Sequence, residues 1–405
     1  MKALILAAGF GTRLAPHTDH LPKALFPIAG VPVLARMIDN LKQAGCTAIA
    51  VNAHHLAHRI ERYLEEHAFG VPITLSYESD ILGTGGAIRH LADFWDEKPF
   101  MVVNADIITD IDLARVYRAH GTGAAPVTLV MHDRPPFNQV WVDASCRIAG
   151  FERFPDAAGH HGQRRLAFTG IHIMDTGILE WLPADGFCDI IDVYRRMIDN
   201  GVRIHAHQVR DHYWQDMGTP ARFRDAVVDD MAPRAFESAF PGRPIDYIER
   251  QPLSGDGSDR RWFRLTSDAQ RLILVDHGLT PVLAGSEVNA FVHIGEHLFQ
   301  YGIPVPRIVA HDGFSGLVFL EDLGDCHLQQ VVSEAVDEDR IERLYRHVID
   351  TWIDLTERAA VGFDAAWTCQ SRAYDVPLII EKECRYFVDA FLNGYLDQDA
   401  SFDDL

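Results

Sequence analysis

The sequence predicts an α/β fold, a mostly parallel sheet with helices on both faces, followed by a second unit of different pattern. Three observations carry this. The chain opens on a run that is apolar apart from Lys2 and ends in glycines. Short apolar runs then alternate with amphipathic segments at helical spacing as far as Tyr77, the order of a parallel sheet covered by helices. After about Ile245 the alternation gives way to strand-turn-strand pairs. A chain of 405 residues is expected to hold more than one domain; the divisions expected are 1–230, a linker at 231–246, and 247–405.

Composition narrows the function classes. An apolar content of 47% with 23% charged residues is that of a globular protein with a sizeable core. The net charge of -21 argues against nucleic acid or an anionic membrane as partner, while leaving room for local cationic sites. No apolar run reaches the length of a membrane span, and the first residues lack a signal-peptide layout, so a cytoplasmic protein is expected. The six cysteines form no Cys-x-x-Cys pair, which fits reduced thiols. Among the 21 histidines, His54-His55 and His160-His161 are adjacent, and His205 and His207 share one face of an expected strand over Val202–Val209. No zinc spacing is met, so solvated or packing histidines are the reading.

In chain order, Lys2 to Ala8 reads as a buried parallel strand running into a glycine-rich loop. Gly9 and Gly11 let the backbone approach a bound group closely. Thr12 and Arg13 follow, and Lys23 is held between Pro22 and the run Ala24-Leu25-Phe26-Pro27. A strand, a bare-backbone loop and two fixed cations suit a polyphosphate. Gly9-Phe10-Gly11 alone is equally a surface turn. A Walker loop is excluded, because Thr12-Arg13 stands where Lys-Ser/Thr is needed, and a dinucleotide fingerprint is excluded by Leu14 at its third glycine.

Val33–Ala44 and His55–His67 are expected helices, with Ala48–Asn52 and Ile73–Tyr77 as strands. Gly83-Thr84-Gly85-Gly86 then leads into an expected helix over Ala87–Phe94, a place where free N–H groups meet an anion or polar ligand, unless the glycines are only a turn. Phe100–Val103 is a strand ending in Asn104-Ala105-Asp106. Ligands collect at the carboxyl ends of strands in such sheets, where an aspartate holds Mg²⁺ against phosphate oxygens or forms a turn or cap. Val127–His132 and Val140–Val142 are further strands. Gly170, inside Phe168–Ile173, marks a close approach by a ligand or another backbone. In Trp214-Gln215-Asp216-Met217-Gly218-Thr219-Pro220 the last two residues are a helix cap and an N1 proline, and Asp216 serves either that turn or a metal. Met231 to Pro244 carries three prolines and reads as a linker or a short helix.

The string Leu6-Ala-Ala-Gly-Phe-Gly-Thr-Arg-Leu14, with Pro22-Lys23 and Phe26-Pro27, resembles the signature of the sugar-phosphate nucleotidyltransferases, which join a nucleoside triphosphate to a sugar 1-phosphate. The Trp-x-Asp-x-Gly-Thr-Pro string resembles that family's closing metal motif. The resemblance implies a Rossmann-like sheet and a site with four catalytic residues: Arg13 on the β/γ-phosphates, Lys23 between the α-phosphate and the sugar phosphate, and Asp106 and Asp216 on one Mg²⁺. It implies nucleotide binding by Ala7, Ala8, Gly9, Gly11, Thr12, Gly83, Thr84, Gly85, Gly86 and Asn104. Glu152 and Arg153 occupy the place of a Glu-Lys-Pro element and, with Gly170, are implied for the sugar phosphate. Ala105 departs from the family, which usually has glycine there. A nucleotide- or sugar-sensing module without catalysis is the alternative of another class, and it has no need of Arg13, Lys23, Asp106 and Asp216 together.

Gly257-Ser-Asp-Arg-Arg-Trp-Phe-Arg264 and Glu321-Asp-Leu-Gly324 resemble the N-terminal lobe of aminoglycoside-phosphotransferase-like sugar kinases, implying an α+β lobe followed by a partial helical lobe. Kinase activity is not expected. No His-x-Asp follows Leu265, and the strand Leu272–Asp276 has no lysine. The kinase-like companion implies UTP and N-acetylmuramate 1-phosphate, or another N-acetylhexosamine 1-phosphate, in cell-wall sugar recycling. Mannose 1-phosphate with GTP, and glucose 1-phosphate with UTP or dTTP, are the alternatives.

Overall fold

In the computed structural model, residues 1–152, 162–254, 260–279, 286–334, 337–369, 373 and 375–401 are described. The chain forms two compact units, Met1–Arg234 and Ala235–Leu405.

The first unit is built on a nine-stranded sheet. Its strands are β1 (Lys2–Leu6), β2 (Ala48–Ala53), β3 (Ile73–Tyr77), β4 (Phe100–Asn104), β5 (Val127–His132), β6 (Asn138–Val142), β7 (Ile148–Phe151), β8 (Arg164–Met174) and β9 (Ile204–Gln208). The order is β7-β6-β8-β4-β1-β2-β3, with β5 paired to β8 and β9. The strands alternate cleanly between two cores. Ala3, Ile5, Ile49, Val51, Met101 and Val103 face one side, where helices α1 (Val33–Gln43) and α2 (Ala57–Glu66) add Leu34, Met37, Ile38, Leu41 and Ile60. Leu4, Ala50, Phe100 and Val102 face the other, where helix α3 (Gly83–His90) adds Ala87 and Ile88. Helix α4 (Leu113–Gly121) returns to the first side with Leu113 and Val116. Helix α5 (Ile190–Asp199) adds Ile190, Val193, Tyr194 and Met197 to the second. Burial of β1, β2 and β4 on both faces is why their sequences read as continuous apolar runs.

The expectation of a mostly parallel sheet is corrected to a mixed one. Among the described residues β1 runs parallel to β2 and β4, β2 to β3, and β5 to β9. By contrast, β8 is antiparallel to β4, β5 and β6, and β6 to β7. For β6 and β7 the cause is connection length. β6 and β7 are joined through a tight turn in which the Asp143 N–H donates to the Arg147 carbonyl at 3.0 Å, and a turn that short joins only antiparallel strands.

Helix α6 (Pro220–Ala239) contains Pro233. Residues 231–239 of the expected linker are therefore its last turns. The second unit holds a five-stranded antiparallel sheet of β10 (Glu249–Leu253), β11 (Arg261–Ser267), β12 (Gln270–Asp276), β13 (Ile308–Asp312) and β14 (Leu317–Glu321), in the order β10-β11-β12-β14-β13. Helix α7 (Glu287–Gln300) packs Val288 and Val292 against Val275, Val318 and Leu320. Ser286 caps it, accepting from the Asn289 N–H at 3.2 Å. Gly257, Ser258 and Asp259 of the kinase-like string lie outside the described residues.

Candidate active site

The carboxyl ends of β1, β2 and β4 lie side by side and open into a cavity of about 380 Å³, the usual place for a ligand in an open α/β sheet. Ala7, Ala8, Gly9, Gly11, Thr12 and Arg13 line it from the first loop, Asn104 and Asp106 from the end of β4, and Lys23, Gly83 and Thr84 from elsewhere in the chain.

The loop's shape follows from Gly11. Its φ is +64°, and a Cβ there would stand 2.9 Å from the Thr18 methyl and 3.5 Å from the Lys23 Cβ. Thr18 in turn donates its hydroxyl to the Gly11 carbonyl at 3.2 Å. Glycine thus lets the loop fold back on the segment that carries Lys23, which begins a short turn closed by the Phe26 N–H on the Lys23 carbonyl at 3.1 Å. The Lys23 side chain is only 12% exposed and its ammonium pairs with Asp106 Oδ2.

Asp106 and Asp216 are brought together by backbone. Strand Ile107–Thr109 pairs antiparallel with Trp214–Asp216, setting Asp216 opposite Ile107. The Met217 N–H donates to the Asp106 carbonyl at 3.0 Å, and the Ala105 N–H to the Leu6 carbonyl at 3.1 Å. The Trp214 indole anchors this ladder to the main sheet by donating to the Thr169 carbonyl at 2.9 Å, and packs on buried His132, whose pKa burial pushes down to about 4. Asp216 itself does not line the cavity, but Gly218 does, and the Gly218 N–H donates to Asp216 Oδ1 at 2.9 Å. Arg13 closes over the same glycine: a Cβ on Gly218 would stand 2.8 Å from the Arg13 guanidinium and 2.7 Å from Asp216 Oδ1.

Two of the expected nucleotide residues sit differently. The four glycine-segment residues are not a loop but the first turn of α3. Gly83 and Thr84 face the cavity, whereas the N–H groups of Gly85 and Gly86 donate to the Cys188 carbonyl at 2.8 and 3.3 Å. A Cβ on Gly85 would meet Cys188 Sγ at 2.7 Å, and one on Gly86 the Gly186 carbonyl at 2.8 Å. These two glycines are required by the 186–188 segment packed on the helix, and their N–H groups are not free for a ligand. The close approach marked by Gly170 is likewise internal. Its φ is +84° at an irregularity in the β8–β5 pairing, and a Cβ there would stand 2.6 Å from the Asn104 amide. Gly170 therefore leaves room for Asn104 to reach the cavity wall. Glu152 pairs with Arg165 at 3.1 Å, both half-exposed, and does not line the cavity. Arg153 lies outside the described residues.

The structure also adds residues that the motifs did not indicate. Buried Asn52, at the end of β2, accepts from the Ala7 N–H at 2.7 Å and donates to Glu78 Oε1 at 2.8 Å. Glu78, only 1% exposed, takes the Leu82 N–H on its other oxygen at 3.0 Å. This chain ties the first loop to the start of α3. Asn52→Ala leaves the Ala7 N–H and one Glu78 oxygen without their partner. It is expected to cost about 1–3 kcal/mol, read as a lowered midpoint in denaturant unfolding of the full chain.

A family model described as nucleotidyl transferase matches residues 2–232. The chain belongs to the nucleotidyl transferase family. Among its relatives, a UTP–glucose-1-phosphate uridylyltransferase of Synechocystis is 30% identical over 56% of this chain and 62% of its own length. An N-acetylmuramate α-1-phosphate uridylyltransferase of Neisseria meningitidis is 33% identical over 56% of this chain and 96% of its own. A mannose-1-phosphate guanyltransferase of Neurospora crassa is 30% identical over 55% of this chain and 62% of its own. The chain thus spans less than two thirds of the first and third of these relatives. Among the described residues no helix is long and apolar enough to cross a membrane.

Metal binding in a nucleotidyl transferase is tested by the donor set. No group of three or more His, Cys, Asp or Glu is clustered among the described residues. Mg²⁺ does not need one, because it is held by one or two carboxylates while substrate phosphates and water complete its shell. Oxygen donors from Asp106 and Asp216, joined by one backbone ladder, fit that requirement.

Proposed function

We propose that this nucleotidyl transferase moves a uridylyl group from UTP to a hexose 1-phosphate, releasing pyrophosphate. The observation that carries the reading is the convergence of Lys23, Arg13, Asp106 and the Asp216–Gly218 turn at the carboxyl ends of β1 and β4. A sensing module has no use for that set. Uridylyl transfer is supported by the Synechocystis and Neisseria relatives, both uridylyltransferases by name. As acceptor, glucose 1-phosphate or mannose 1-phosphate is better supported by the relatives than the expected N-acetylmuramate 1-phosphate, and we take glucose 1-phosphate first. N-acetylmuramate 1-phosphate is the second reading, favoured by the Neisseria relative, of which this chain spans 96%.

A sugar-phosphate oxygen attacks the α-phosphorus in line. One P–O bond forms, the bond to the β-phosphate oxygen breaks, and pyrophosphate leaves with its electron pair. Positioning and charge neutralisation supply the catalysis. The Ala7–Gly11 backbone and Thr84 hold the nucleoside, Arg13 binds the departing pyrophosphate, and Lys23 leaves Asp106 to bridge the two reacting phosphates. Asp106 and Asp216 would hold Mg²⁺, which when bound would offset charge on the α-phosphate. For residues 247–405 we propose a kinase-like unit without phosphotransfer, supported by the lack of a lysine in β12.

The test is a matrix of four nucleoside triphosphates against glucose, mannose, N-acetylglucosamine and N-acetylmuramate 1-phosphates, read as pyrophosphate release. Turnover with UTP and one hexose 1-phosphate is expected, at least 100-fold above GTP if base contacts discriminate as polar sites do. No release from any pair removes the reading.

A further inference from the structure

We infer that Arg222 is a positioning residue that fixes the Asp216 carboxylate for the metal; this rests on the reading of Asp106 and Asp216 as Mg²⁺ ligands. Arg222 lies in the first turn of α6, where its N–H donates to the Thr219 hydroxyl at 3.3 Å. From there its guanidinium reaches back to Asp216 Oδ1 and stacks over the Phe137 ring, 4.9 Å from the ring centre. Phe137 is itself braced edge-on against Trp214, two residues before Asp216. Asp216 Oδ1 therefore takes both the Arg222 guanidinium and the Gly218 N–H. Among the described residues, no donor lies within hydrogen-bond reach of Oδ2. One oxygen is fully engaged by the protein and the other is left to a ligand.

Two effects of that guanidinium oppose each other. As a second cation it repels a metal, which is felt at any orientation. As a donor held by a ring and a helix start, it prevents the carboxylate from rotating and presents Oδ2 in one direction. Partners that orient a metal ligand in this way are worth about 10- to 100-fold in metal affinity. The Arg222 side chain is one-third exposed, so solvent screens its repulsion more than it loosens a two-point hold. Orientation therefore outweighs repulsion here.

The experiment measures the full chain's affinity for Mn²⁺–UTP by water-proton relaxation, and for UTP in EDTA by calorimetry. Arg222→Ala is expected to weaken Mn²⁺–UTP binding about tenfold while leaving UTP in EDTA within about twofold. Arg222→Lys should recover part of the loss, since it restores charge without the planar fork. Phe137→Leu, which keeps both charges and frees the guanidinium, should fall between wild type and Arg222→Ala. This holds the inference open to test even if Arg222→Ala folds poorly. In an Asp216→Ala background the Arg222→Ala effect should vanish.

Equal or tighter Mn²⁺–UTP binding by Arg222→Ala overturns the inference in favour of simple repulsion. An equal loss of UTP in EDTA overturns it in favour of direct nucleotide contact. If wild type binds Mn²⁺–UTP no better than UTP, the metal assignment falls and the inference falls with it. If wild type shows the metal preference but no sugar 1-phosphate is turned over, the proposed reaction fails while the Arg222 result stands.

Discussion

Asp106→Asn is expected to lower kcat for pyrophosphate release by about 100- to 1,000-fold, the range for removing one preorganised group that stabilises charge in a transition state. The substitution preserves shape and removes only the charge. The structure gives that charge two consequences. On the proposed reading Asp106 would supply oxygen to the metal, and in the structure it pairs with the Lys23 ammonium at the cavity wall. With asparagine the proposed metal site would lose a ligand, and Lys23, otherwise 12% exposed, is left without its carboxylate. The backbone around position 106 is tied through the Ala105 N–H to Leu6 and the Asp106 carbonyl to Met217, and no side-chain atom takes part, so the fold is expected to remain. Unchanged circular dichroism with lost turnover is the predicted pair of results. Turnover within about threefold of wild type would show that Asp106 neither binds the metal nor places Lys23.

What the sequence made legible is what short-range pattern encodes. The Ile73–Tyr77 and Val127–His132 strands were expected with the bounds they have, because a short apolar or alternating run bounded by turn residues is a local property. The direction of β8 was not legible, since it depends on which strands its backbone groups find. Gly85 and Gly86 show the same limit from another side. A glycine run before a helix is the pattern of an anion site, and here its N–H groups are taken by a carbonyl from the 186–188 segment, far along the chain. Asn52 did leave a signal. Val51-Asn52-Ala53 and Val103-Asn104-Ala105 are the same tripeptide, each closing a strand that flanks β1. A polar residue repeated at the ends of two apolar runs marks the shared rim of a site. Glu78 carries no such signal, because its hold on Asn52 is a tertiary contact.

Gly218→Ala is expected to lower kcat by about 100-fold with little loss of stability, although residue 218 carries no side chain. The added methyl would stand 2.7 Å from Asp216 Oδ1 and 2.8 Å from the Arg13 guanidinium. Both obstructing atoms are the far ends of side chains. The protein can therefore relieve the contact by moving them, and backbone strain is not demanded, because Gly218 has no left-handed φ. The relief is the damage. Asp216 must give up its hold on the Gly218 N–H or on Arg222, and Arg13 must leave the place over Gly218 from which, on the proposed reading, it would meet the pyrophosphate. A misplacement of about 1 Å at a reacting centre costs on the order of 100-fold. The charge on each side chain is intact, so high Mg²⁺ should recover part of the loss at Asp216 but none of that at Arg13. A variant with wild-type kcat would mean that neither group needs its position over Gly218. A variant that unfolds at lower denaturant by more than about 2 kcal/mol would mean that the methyl is accommodated by backbone instead. Retained fold, lost kcat and partial rescue by metal together separate positioning at this turn from every role that its backbone plays in the ladder below it.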